Sequence, residues 1–578
     1  MVSFSMGYFL MLTTPVIAEN SDKFGDLTET PTWVEEIFEQ VKRVIGKKPN
    51  QNSAAISSIK LKVYHNTPPN FRRYLAVALS SGEIVLSKAI IDNICPLDKT
   101  NTAKTNYEWN HACLAFILGH ELAHLINGDE LPKRFINDPD RFTQAVIDYQ
   151  EKGGKEKEKI ADEDGFLYAA IAGYPVDKLV NQGKDKGFFE HWVEITGINW
   201  QESPSHPNPE KRTEELIKRL EQLLAKVPYF HFGVRLCHFN RYSDGIKFLQ
   251  EFEKEFPARE VFNNQGYCHL QQAIEELGAE KAYQYWLPSV LDAATRADKF
   301  SIPSQLKGET SKTAKEFLEM AKKAFESAID ADPSYLPANI NLAVTQFYLA
   351  IYDNNLYNAA IEALDFKKID KSFHSLKPIV QGLKALFLYR AGRDNGKELE
   401  RISKLSNTPL FVLYNTAQML KKRKKNSEAQ DIWQRLAGHL PELPEPIKTV
   451  CQQSFECLAI KTKTTSLNMK WRLPPTLSFS KRVESQTFSN WKRVVWQEGS
   501  GKIFLDPEEK FEVLVVGDYV EMVVLKKFNK LTVKDLKKYC QQSLVSKITA
   551  TGELLSCADR WSALQRNNRV EEVWILRK

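Results

Sequence analysis

Apolar residues recur at steps of three and four along most of this chain, and the period shortens to two only in an early segment and beyond about Met469. Pro31-Thr32-Trp33-Val34 opens an amphipathic helix that runs to about Ile45, where Gly46 stops it. Three β-like runs follow, Ile59 to Tyr64, Tyr74 to Leu79 and Glu83 to Leu86, the last two joined by Ser80-Ser81-Gly82, and they predict a small antiparallel sheet. Cys113, Leu114, Ile117, Leu118, Leu122, Leu125 and Ile126 then mark a largely buried helix over roughly Tyr107 to Asn127, closed by Asn127-Gly128-Asp129. Helical pairs begin near Tyr229. Beyond Met469 strands are expected at Leu477 to Phe479, Lys492 to Trp496, Lys502 to Leu505, Phe511 to Val516, Tyr519 to Leu525 and Val570 to Leu576, with one helix from Thr532, its cap, to Gln541.

The helical pairs carry an internal repeat. Tyr242-Ser-Asp-Gly-Ile246 and Tyr357-Asn-Ala-Ala-Ile361 share one form, and Asn426-Ser-Glu-Ala429 is a weaker copy. From Tyr357 to Asn426 is 69 residues, close to two periods of 34, and from Tyr242 to Tyr357 is 115, three periods with 13 residues over. An insertion at Lys299 to Ser311 explains the excess. Ala321 to Pro333 resembles the second helix and closing proline of a tetratricopeptide repeat, whose pairs stack into a solenoid with a surface for a peptide or protein partner.

Composition sets outer bounds. The 578 residues, 43% hydrophobic, exceed a single domain. With 79 Lys and Arg against 73 Asp and Glu, the net charge of +6 argues against a nucleic-acid partner, and the run Lys421 to Lys425 reads as a solvated helix end. Met6 to Ala18 is a short apolar stretch with small residues at Val16 and Ala18, so residues 1–18 read as a signal peptide lacking its basic start. A periplasmic or secreted location follows if it is cleaved, a cytoplasmic one if not. No later run approaches the roughly 20 apolar residues of a membrane span. Eight cysteines without a CxxC pair are expected as buried thiols, Cys451 with Cys457 and Cys540 with Cys557 being the closest pairs if export permits disulfides.

The chemistry concentrates in Gly119-His120-Glu121-Leu122-Ala123-His124. Residues four apart share a helix face, so His120 and His124 can present two imidazole nitrogens to one zinc ion while Glu121 takes a proton from a water that the ion activates. Catalytic zinc takes a third protein ligand. Lys157 to Gly165 supplies the candidates, with Glu158 and Asp162 on one helical face and Glu156 competing for the ligand role.

GHELAH followed by Glu158-x-x-Ala161-Asp162-x-x-Gly165 resembles the gluzincin metallopeptidase family of the CAAX prenyl protease and HtpX-like type, including soluble periplasmic β-barrel assembly-enhancing proteases. Ser205-His206-Pro207-Asn208-Pro209-Glu210-Lys211-Arg212 is similar to that family's His-Pro segment, and Gly82-Glu83-Ile84-Val85-Leu86 to its substrate-binding edge strand. The resemblance covers roughly residues 30–225. It implies Glu158 as third zinc ligand, Asp162 as its second-shell partner, and His206 as a switch ligand holding the site latent; alternatively His206 only packs nearby or caps a turn. The expectation is a mostly α, multidomain chain: a zincin-like domain with a small antiparallel sheet (30–225), tetratricopeptide-like repeats (227–450) and a small α+β, β-rich module of undisclosed role (470–578). Its expected function is that of a zinc metalloendopeptidase acting on proteins or peptides in envelope quality control. The competing expectation is a tetratricopeptide adaptor or chaperone with a latent or inactive zinc site.

Overall fold

The first described helix, α1 (Thr32–Ile45), buries Val34, Ile37, Phe38, Val41, Val44 and Ile45 on one stripe, as the apolar spacing requires. This computed structural model describes residues 27–45, 56–64, 76–95, 104–129, 153–180, 187–196, 208–299, 313–365, 371–454, 488, 491–495, 501–516, 519–526, 531–532, 536, 545–550, 552–557, 561–566 and 569–576. The leader Met6 to Ala18, Gly46, the insertion beyond Lys299, His206 and the strand at Leu477 to Phe479 lie outside the described residues. No described helix is long and apolar enough to cross a membrane.

A four-stranded sheet of β1 (Leu27–Thr28), β2 (Lys60–Tyr64), β3 (Ala76–Leu79) and β4 (Glu83–Ser87) has the order β1-β2-β4-β3. Two expectations fail here. The sheet is mixed, because β2 and β4 run parallel with Leu61 opposite Ile84 and Val63 opposite Leu86. Gly82 to Leu86 is also not an edge, since β4 pairs with β2 on one side and with β3 on the other. The turn at Ser80 to Gly82 folds β3 outward, leaving β3 at the rim among the described strands. Ile84, Val85, Leu86 and Ser87 are buried in succession, the signature of a strand covered on both faces.

Helix α2 (Lys104–Asn127) carries the HExxH motif and crosses α3 (Gly154–Ala172), which contains both Glu158 and Asp162. The cysteines are expected mostly as buried thiols; Cys451 is buried, and Cys457, its nearest candidate partner, lies outside the described residues. Cys95 instead bonds Cys113 of α2, and Cys237 bonds Cys268, with Cα separations of 5.8 and 5.7 Å. Cys557 is also disulfide-bonded, while Cys540, its expected partner, lies outside the described residues.

Short helices α4 (Asp177–Val180) and α5 (Phe188–Thr196) lead to α6 (Pro209–Leu224). Helical pairs follow: α7 (Val227–His238) with α8 (Tyr242–Glu255), α9 (Arg259–Ala282) with α10 (Ala314–Ala331), α11 (Leu336–Leu349) with α12 (Leu356–Glu362), α13 (Lys377–Arg390) with α14 (Lys397–Ser403), and α15 (Leu410–Lys422) with α16 (Asn426–Ala437). The recurring Tyr242, Tyr357 and Asn426 each stand at or next to the start of the second helix of a pair, where the repeat places them. Helix α17 (Glu445–Ser454) ends the series.

The surface shared by the first helices is not open. Residues 283–295 run through it as an extended thread held by asparagine side chains. Asn415 accepts from the Trp286 N–H at 2.8 Å and donates to its carbonyl at 2.9 Å. Asn341 does the same for Val290 at 2.7 Å each, and Asn264 for Asp292 at 2.9 and 2.8 Å. Tyr285, Val290 and Leu291 are buried along this path. The thread satisfies its backbone mainly through these side chains, with Leu291 also bridging Thr549 and accepting from the Ala550 N–H at 2.9 Å, so the face expected to receive a partner peptide is filled by the chain itself along this stretch.

Among the described residues eight further strands follow: β5 (Lys492–Val495), β6 (Gly501–Leu505), β7 (Phe511–Val516), β8 (Tyr519–Lys526), β9 (Val545–Ile548), β10 (Glu553–Cys557), β11 (Trp561–Arg566) and β12 (Arg569–Leu576). They form one antiparallel sheet of two four-stranded meanders joined through β8 and β12, with Trp574 opposite Val524. Strands β9, β10 and β11 were not expected. The Leu536 N–H donates to the Thr532 carbonyl, one turn of the helix expected there, and Thr532 also bridges Arg569; the remainder of that helix lies outside the described residues.

One face of this sheet, with Ile503, Leu514, Met522, Val524 and Trp574, joins the core that includes α1, α2, α3 and α7. The opposite face closes over Phe488, Phe504, Val523, Leu536 and Val573. Arg235 of α7, wholly buried, donates to Glu512 at 2.6 Å and Glu572 at 2.8 Å across the contact. These carboxylates pair with a buried guanidinium, which holds both well below the usual carboxylate range despite burial.

Candidate metal centre

Helices α2 and α3 meet at Gly119 and Gly165. A Cβ added to Gly119 would stand 2.7 Å from the Gly165 carbonyl oxygen, and one added to Gly165 would stand 2.5 Å from the His120 nitrogen. Only hydrogen fits between these backbones. The close approach brings the His120–His124 face of α2 against the Glu158–Asp162 face of α3, each pair four residues apart and therefore aligned.

Nε2 of His120 and Nε2 of His124 lie 3.0 Å apart. Glu158 places Oε2 at 3.5 Å from the first and Oε1 at 3.4 Å from the second. All three residues are buried, and their ligand atoms lie within 4.8 Å of one another. Donors held about 2.0–2.1 Å from a tetrahedral ion must stand roughly 3.3 Å apart, and each imidazole nitrogen here has the other nitrogen and one Glu158 oxygen at about that spacing. Glu156 is exposed on the far side of α3. The register of α3 therefore selects Glu158 over its competitor.

Asp162 fixes the outer ring. Its Oδ1 lies 3.0 Å from His120 Nδ1, which leaves Nε2 to face the triangle. Arg212, buried in α6, grips the same carboxylate with Nε at 2.6 Å and Nη2, reaches to 3.9 Å from Glu158, and stacks on Phe189 at 4.2 Å. Asn208 caps α6 by accepting from the Lys211 N–H at 2.7 Å, with Pro209 opening the helix, so the Asn-Pro sequence aims Arg212 inward. Arg212 stood in the His-Pro stretch without an assigned role; a buried arginine facing a carboxylate four residues after Glu158 is not legible from spacing alone. His206 lies outside the described residues.

The charges follow from these contacts. Burial opposes a charged His120, yet the Asp162 and Glu158 carboxylates hold its pKa at about 10. The same negative field suits a divalent cation. Burial also works against an ionised Asp162, but Arg212 and His120 keep it below the ordinary carboxylate range. Glu121 is pushed up by burial, against the pull of His120, His124 and the Ala78 backbone. Neither Glu121 oxygen makes a hydrogen bond of good geometry among the described residues, the Ala78 backbone being near enough to act on its charge but not to satisfy it. A buried carboxylate left unpaired beside three convergent ligands fits a site built around an ion and its water.

Two-nitrogen, one-carboxylate donor sets suit zinc. No known protein family and no curated protein matches this chain.

Proposed function

We propose that this chain is a zinc-dependent metalloendopeptidase, with His120, His124 and Glu158 holding the ion. The observation that carries the reading is the buried triangle of these three ligands beside the unpartnered Glu121 carboxylate. When bound, zinc supplies a Lewis acid that polarises a carbonyl and acidifies a water. Glu121, raised in pKa by burial, would serve as the general base that accepts a proton from the attacking water and passes it to the departing amine. Asp162 keeps His120 in the tautomer that ligates through Nε2, and Arg212 keeps Asp162 in place. Strand β3, at the sheet rim and packed against α2, offers its backbone to an extended substrate by strand addition.

The disulfides Cys95–Cys113 and Cys237–Cys268 support an oxidising compartment, in keeping with residues 1–18 as a signal peptide. By resemblance, the substrate class is misassembled or unfolded envelope proteins.

Elemental mass spectrometry tests the centre, with about one zinc per chain expected and its loss in His120→Ala. Glu121→Gln should then keep the zinc and lose cleavage of an unfolded protein substrate by at least about a hundredfold. Zinc-free, folded wild-type protein after zinc is supplied would sink the reading. The complete burial of the ligands favours one rival, an adaptor whose zinc site is latent or structural. Under that reading Glu121→Gln leaves every activity of the protein unchanged.

A further inference from the structure

At the C-terminal ends of α9, α11 and α13 a cavity of about 250 Å³ opens beside the start of the inner thread. Its walls are aromatic. Phe347 meets Tyr285 and Tyr357 edge-on, at 5.9 and 5.3 Å between ring centroids. Arg390 stands 5.3 Å from each tyrosine ring, donating to the Tyr357 hydroxyl at 2.8 Å and to the Tyr285 hydroxyl at 3.4 Å. Lys281 lines the same cavity, and Lys422 donates to the Tyr285 hydroxyl at 3.2 Å.

Positive charge gathers here without its counterpart. Among the described residues no carboxylate forms an ion pair with Arg390, Lys281 or Lys422. The Nε–H of Arg390 is buried and has no acceptor. Burial and the charge of Arg390 together push Lys422 below its ordinary pKa, a repulsion that an anion would relieve. Helix-end carbonyls favour cations at this position in general. They do not account for a guanidinium turned instead onto two phenolic oxygens with one donor left over.

We propose that this cavity binds a carboxylate carried on an apolar or aromatic body the size of one side chain. The carboxylate meets Arg390 and Lys281, and the body lies against Phe347 and the two tyrosines. A volume below the usual range for small-molecule pockets, about 300–1,000 Å³, limits the guest to that size. Such a group arrives either as a free aromatic acid or as the C-terminal residue of a polypeptide. The proposal stands whether or not the metal centre is catalytic.

The test is titration calorimetry on the full chain carrying Glu121→Gln, so that no peptide is cut. The probes are N-acetylphenylalanine, its amide, and a ten-residue peptide ending in phenylalanine with a free or an amidated terminus. A lost charge-assisted hydrogen bond corresponds to about a tenfold or greater change in affinity. The acid should bind saturably, the amide at least about tenfold more weakly, and Arg390→Gln should lose a similar factor. Lys281→Gln, an exposed change that leaves the fold intact, should also weaken the acid and decides the matter if Arg390→Gln does not fold. Tighter binding of the free-acid peptide than of N-acetylphenylalanine assigns the guest as a polypeptide terminus, and the reverse assigns it as a free acid. Equal binding of acid and amide, no saturable binding of either acid at millimolar concentration, or wild-type affinity in Lys281→Gln overturns the proposal.

Discussion

Two glycines and one arginine decide whether the His and Glu side chains of α2 and α3 can share an ion. Gly119→Ala or Gly165→Ala places a methyl against backbone that cannot move aside, so the helices must separate. Overpacking of this kind costs about 1–3 kcal/mol, and separation also opens the ligand triangle. Each variant is expected to melt earlier and to lose zinc to a chelator more readily than wild type. Arg212→Leu leaves Asp162 buried without its main partner. Breaking a buried pair from one side costs about 3–5 kcal/mol, and loss of such outer support typically lowers metal affinity 10–100-fold. Chelator competition on Arg212→Leu would show no change in zinc affinity if Arg212 were only a packing residue. The candidate ligand group was legible because helix periodicity aligns His120 with His124 and Glu158 with Asp162, while the preference for Glu158 came from the resemblance. That Glu158 is buried and Glu156 exposed needed the register of α3, and Arg212 needed the fold, since no local pattern ties residue 212 to residue 162.

Among elements, the helices were read more faithfully than the strands. A period near 3.6 identifies a helix and its buried face together, which is why α1, α2 and the second helices of the pairs fall where the pattern sets them. Period two identifies a strand but not its neighbours. The sequence of β3, turn and β4 reads as a hairpin, which it is, yet nothing in it says that β2 lies alongside β4 in parallel. Strands β9 to β11 escaped notice because Lys547, Ser556, Ser562 and Gln565 interrupt their apolar positions. The thread at 283–295 has no periodicity at all, and its identity lies in the asparagines that grip it from α9, α11 and α15. Asn341→Leu removes both of its own bonds to Val290, leaving a buried N–H without an acceptor while the carbonyl keeps only the Asn263 amide at 3.2 Å. Each buried group left unsatisfied costs about 1–3 kcal/mol, so the melting midpoint should fall by several degrees, whereas the same change at an exposed helical position should not move it.

At the scale of the molecule, the C-terminal sheet and α7 are joined through buried polar groups that respond to pH in separable ways. His238 of α7 accepts or donates at 2.7 Å to Ser562 and 3.1 Å to Ser556, and burial together with the charge of Lys547 holds its pKa well below the ordinary value. The unfolded chain binds a proton here near pH 6.5 and the folded one does not, so this stabilisation is complete above about 6.5 and declines as pH falls below it. Asp292, pushed up to about 6 by burial, changes in the opposite sense over part of that range. The readout is therefore the difference between wild type and His238→Gln, whose melting temperatures should converge as pH falls from 7 to 5; a constant difference would rule out a neutral buried His238. Glu512 and Glu572, both depressed, act in a lower window: their contribution is present above about pH 4.3 and is lost as acidity increases beyond it.

The asparagine-held thread also sets a timetable for synthesis. Trp286 leaves the ribosome 129 residues before Asn415, the side chain that receives both its backbone groups. At about 5–20 residues per second that interval lasts roughly 6–26 seconds. Throughout it Tyr285, Leu287, Val290 and Leu291 have left the ribosome while the helices that cover them are still being made. The nascent chain thus presents an extended, apolar segment of its own to whatever chaperones attend it; α11 takes up Val290 first, and the stretch around Trp286 is withdrawn only when α15 arrives.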